Sequence, residues 1–150
     1  MIRTVFFTCL TVASLCLTPT SVQAHENPAD AAARCIASVE HLVNRCQNAA
    51  TEETQQCLHE IRRLKADGQH DAAVQVAREC VSSSRRRTRI CIGEVRDICT
   101  RCIDYLLLFG AEELAGRVRY NCGTAIGQLE TIHQRVENAI QQALNGRPVY

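Results

Sequence analysis

The chain has no tryptophan, and three Phe and three Tyr are all the large aromatic rings among its 150 residues. Platforms on which bases or sugar rings could stack are therefore scarce. Proline is sparse too, at three residues, and from Ala29 to Asp67 there is neither Pro nor Gly, so nothing in that stretch breaks a helix. No segment shows the strict alternation of a half-buried strand. The longest apolar run, Val5 to Leu17, is 13 residues, short of the roughly 20 that a membrane-spanning helix needs. An excess of one charge is also missing: 17 Lys and Arg stand against 16 Asp and Glu, and Arg3 is the only charged residue before Ala24, so the chain beyond Ala24 is formally neutral. That balance argues against a general nucleic-acid or membrane-surface binder. His25, His41, His59, His70 and His133 form no pair at i, i+4. With no Ser-His-Asp or paired-carboxylate pattern either, no catalysis is expected.

Residues 1–24 are arranged as Arg3, the apolar run, and a polar stretch ending Val22-Gln23-Ala24. This is the three-part layout of a secretory signal with small residues at the cleavage positions. Cleavage is expected after Ala24, leaving residues 25–150 as a single cysteine-rich helical domain with one core. Of ten cysteines, Cys9 and Cys16 lie in the signal and eight follow it. An even number in an exported chain is the usual mark of disulfides, which places the protein in a secreted or periplasmic setting.

Apolar residues recur by threes and fours along most of the rest. The series Val39, Leu42, Val43 and Cys46, continued by Leu58, Ile61 and Leu64, marks one face of a helix. After Gly68 the rhythm resumes, from Ala73 and Ala77 through Val95 to Leu106. After Gly110 it runs Leu114, Val118, Cys122, Ala125, Leu129, Ile132, Val136. Acids follow each glycine, Asp71 in one case and Glu112 with Glu113 in the other, where a helix N-terminus favours negative charge. The pattern predicts an all-α, up-down-up bundle of three long helices near 29–66, 70–109 and 111–144. Polar stretches at 47–55 and 82–89 leave an alternative of five shorter helices, with Thr51 or Ser84 as N-caps.

The cysteines act as a ruler. Cys35, Cys46 and Cys57 are 11 apart, as are Cys80, Cys91 and Cys102. Eleven residues make three turns with about 20° of drift, so each trio lies along one helix face. The trios mirror each other about Gly68, and Cys99 mirrors Cys122 about Gly110. If the chain reverses at both glycines, Cys35 faces Cys102, Cys46 faces Cys91, Cys57 faces Cys80 and Cys99 faces Cys122. The same spacing also suits an old tandem duplication. Five shorter helices would instead join neighbours, such as Cys46 with Cys57. The mirror register also sets Glu52 opposite Arg85.

Cys99-Thr-Arg-Cys102 is the one short motif with known chemistry, but it sits late in its helix rather than at the N-terminus that acidifies redox thiols. Together with Cys122 it can supply three thiolates to a soft metal, with copper the alternative to an expectation of no cofactor. Copper-storage proteins are similar in being exported, helical and cysteine-rich; this chain departs from them in lacking dense Cys-x-x-x-Cys spacing. His133, 11 residues after Cys122, reads as a seam residue rather than a ligand. Arg85, Arg86, Arg87 and Arg89 offer a charged surface for an acidic partner, with a solvated helix face as the plainer reading. The sequence thus predicts an exported binding or structural protein, whose partner it leaves unidentified, with another protein as the candidate. A Cu(I)-binding bundle is the second reading and a thiol oxidoreductase the third.

Overall fold

The computed structural model describes residues 27–146, so the expected signal at 1–24 lies outside the described residues. Three helices account for nearly all of them: α1 (Pro28–Ala66), α2 (His70–Leu108) and α3 (Glu112–Leu144), each packed against both others. No strand occurs among the described residues. The bounds fall within a residue or so of the spacing-based ones.

α1 opens with Asn27, whose side chain accepts a hydrogen bond from the Ala29 N–H at 3.0 Å, followed by Pro28 where a missing N–H does no harm. Its other end carries Arg63, which donates to both carboxylate oxygens of Glu60 at 2.9 and 2.6 Å. The Arg63 hydrogen bond holds the Glu60 carboxyl below its usual pKa, although the pair is exposed to solvent.

Both reversals use the same device. Gly68 and Gly110 take φ of 73° and 68°, a left-handed conformation that costs glycine little. At the first, the Gln69 N–H reaches the Leu64 carbonyl at 2.8 Å and the Gly68 N–H reaches Lys65 at 3.1 Å. At the second, Ala111 reaches Leu106 at 2.9 Å and Gly110 reaches Leu107 at 3.0 Å. This is the paired Schellman pattern, which satisfies carbonyls orphaned at a helix end. Each connection spans only three residues, so consecutive helices must run antiparallel and side by side.

The five-helix alternative is corrected: 47–55 and 82–89 are continuous helix. Gln, Ala and Glu dominate the first stretch and favour helix without an apolar face. Thr51 is not an N-cap; its hydroxyl donates back to the Gln47 carbonyl at 2.9 Å, and Thr54 does the same to Ala50 at 2.6 Å. Ser84 is buried inside the bundle rather than capping a helix.

The apolar interior comes in two pieces. The larger, with Val39, Leu42, Val95, Leu106, Val118 and Leu129, fills the end where the α2–α3 turn lies. The smaller, around Ile61, Leu64, Ala77 and Ile140, fills the end at the α1–α2 turn. Lys65 closes that second end by donating to the Ala143 and Leu144 carbonyls, at 2.9 and 2.8 Å, near the C-terminus of α3. A cation there is well matched to the helix dipole.

Candidate functional site

All eight cysteines among the described residues are bonded in pairs: Cys35–Cys102, Cys46–Cys91, Cys57–Cys80 and Cys99–Cys122. These are the four links that the mirrored spacing predicts. Their Cα–Cα distances are 6.2, 6.5, 6.3 and 6.2 Å, within the reach of a disulfide. Three bonds form rungs between α1 and α2, about 16 Å apart along the helices. The fourth joins α2 to α3. Cys99 and Cys102 sit about 60° apart around α2, so the former turns to α3 and the latter to α1. The Cys-x-x-Cys sequence is therefore not a dithiol pair, and the sulfurs of the alternative metal set, Cys99, Cys102 and Cys122, are all bonded to sulfur. No group of three His, Cys, Asp or Glu placed to hold a metal ion occurs among the described residues.

Between the two apolar clusters lies a polar waist. Ser84 is the buried polar residue among the described ones, at 8 % exposure, and its Oγ lies 3.0 Å from Nδ1 of half-buried His133. The proton of that bond sits on either atom according to the imidazole tautomer. His133 is thus a seam residue with a hydrogen-bond partner. Beside it Arg87 pairs with Glu53, while Arg87 Nε is buried without an acceptor. Arg85 turns to Glu137 on α3, at 3.9 Å, not to Glu52 as the mirror register suggests. The acidic and basic groups of α1 and α2 do meet, through Glu53 and Arg87. A cleft of about 280 Å³ opens at the waist, bordered by Glu53, Thr54, Glu79, Ser84 and the Cys57–Cys80 disulfide.

The arginine run does not act as a unit, because consecutive helical residues point about 100° apart. Arg86 and Arg87 border a groove between α1 and α2, whereas Arg85 borders one between α2 and α3. Arg89 is exposed. The waist pair Ser84 and His133 escaped the sequence reading. Its only trace is a polar residue from each helix falling on an otherwise apolar seam.

Fold and covalent pattern define a class, a disulfide-stapled bundle of three long helices. Comparison with protein families, with curated proteins and with solved structures finds no match. No helix among the described residues is long and apolar enough to cross a membrane.

Proposed function

We propose that this protein works outside the reducing cytosol, secreted or periplasmic, as a stiff, non-enzymatic part that binds a partner or supports an extracellular or envelope structure. The observation that carries the reading is that every one of the eight cysteines beyond the signal-like segment has a disulfide partner. Such a set is characteristic of an oxidising compartment. The signal-like sequence at 1–24 supports the same address. At the waist, hydroxyl meets imidazole and guanidinium meets carboxylate across the helix seams. Such groups favour one register of the helices over its neighbours.

Thiol titration of exported protein, denatured without reductant, tests the reading. No free thiol is expected. Eight free thiols binding copper in stoichiometric amounts would replace this reading with the metal-carrier one. Intact mass of the same material should show a chain beginning at His25; retention of residues 1–24 would remove the basis for the export address.

A further inference from the structure

One side of the α1–α2 seam is an open groove in two parts, of about 620 and 420 Å³, which meet at Arg45 and Glu94. Its walls carry Arg34, His41 and Arg45 from α1, and Arg86, Arg87 and Arg101 from α2, with Arg45 paired to Glu94 and Arg87 to Glu53. Glu94 is the one acid among the described residues that border it. The chain beyond Ala24 is formally neutral, so this concentration of one sign is local and not a by-product of overall charge. The floor is apolar, with Leu42 and Ile98, and Ile90 stands 56 % exposed within it. Small residues, Ala37 and Ala49, keep the α1 wall low.

From Arg86 to Arg101 is 15 residues of helix, about 22 Å. An extended chain rising about 3.3 Å per residue covers that length with about seven residues. Arg45 and Glu94 bridge the groove midway at 2.9 Å, with side chains 64 % and 47 % exposed. So exposed a pair adds only about 0 to 1 kcal/mol, and a carboxylate arriving from outside can take the place of Glu94 on Arg45. The bridge also divides the apolar floor, which leaves no continuous channel for an acyl chain.

We propose that this groove binds an extended acidic segment of a partner protein, with carboxylates on the Arg86 and Arg101 walls and an apolar side chain over Ile90. The inference rests on the reading of the protein as an exported binding part, and narrows the partner to a peptide of about seven residues rich in Asp and Glu.

The test uses protein purified after export of the full chain. The probe is a fluorescein-labelled heptapeptide alternating Glu with Leu, beside the same peptide with Gln for Glu, both read by fluorescence anisotropy. The acidic probe should bind saturably, weaken with added salt, and bind at least about tenfold more tightly than the Gln probe. R86E and R101E should each weaken it about tenfold, whereas R89E, on the same helix but off the groove, should stay within about twofold of the parent. Circular dichroism and a thiol count on every variant establish that each remains a helical, fully oxidised bundle. Equal binding of the Gln probe, or equal damage from R89E, would overturn the proposal. So would capture by phosphatidylglycerol vesicles with no binding of either peptide. A fully oxidised parent that ignores the acidic probe defeats the groove alone, whereas free thiols in that parent defeat the reading beneath it.

Discussion

At the scale of single residues, the waist is where local chemistry departs from the apolar seam around it. Ser84 and His133 satisfy each other between two apolar clusters. A buried polar group that loses its partner costs about 1–3 kcal/mol, whereas removing both partners together can be neutral. Ser84→Ala should therefore destabilise the protein by about 1–2 kcal/mol. Adding His133→Leu should recover most of that loss, because leucine joins the two clusters across the gap. Urea unfolding with disulfides intact measures both; a double variant as damaged as the sum of its single changes would count against this account. The pair was illegible in the sequence for a physical reason. Ser84 sits in Ser-Ser-Ser-Arg-Arg-Arg, which reads as loop, and only the packing of α2 on α3 brings it to His133.

At the scale of elements, the helix ends were far easier to read than the polar middles. Gly68 and Gly110 each close an apolar rhythm and precede acids, and only glycine takes their backbone angles without strain. The stretches 47–55 and 82–89 lack an apolar face, so periodicity says nothing there; their helix is held by rungs and clusters on either side. Glycines in the two environments should respond oppositely to one substitution. Gly68→Ala meets no steric neighbour yet must hold a φ of 73°, and should lose about 1 kcal/mol or more. Gly123→Ala lies in mid-helix with nothing within 4 Å of the added carbon, and should gain about 0.5–1 kcal/mol. Thermal unfolding of the two variants should move in opposite directions, and a shared sign would refute the assignment.

At the scale of the whole molecule, the three α1–α2 bonds are nested. Their sequence separations are 67, 45 and 23, which taken one at a time would make the outermost the most stabilising. In the assembled ladder each inner bond already shortens the loop that the next one closes, so every rung restrains a stretch close to that of the innermost. Deleting Cys35 with Cys102, or Cys57 with Cys80, should then cost about the same, near 3 kcal/mol each. Calorimetry of the two double-serine variants decides; an outer pair worth about 0.9 kcal/mol more than the inner is what independent loops would give. The ladder was the most legible part of the molecule, since eleven-residue spacing and a turn at Gly68 together determine who meets whom.

The same four bonds decide how the protein carries tension between its ends. Force applied at Pro28 passes along α1 to Cys35, crosses to Cys102, travels one turn of α2 to Cys99, crosses to Cys122 and leaves through the rest of α3. Residues 36–98 and 103–121 hang off that line as slack loops. A stretched, oxidised molecule can lengthen only through its two terminal pieces and the short link in α2. Pulling with and without reductant in an optical trap should reveal the full contour only when the sulfurs are reduced. The α1–α2 ladder from Cys46–Cys91 to Cys57–Cys80, with the middle of the basic groove, would keep its shape under load, while the groove's far end at Arg34 and Arg101 lies on the strained line and α3 beyond Cys122 peels away.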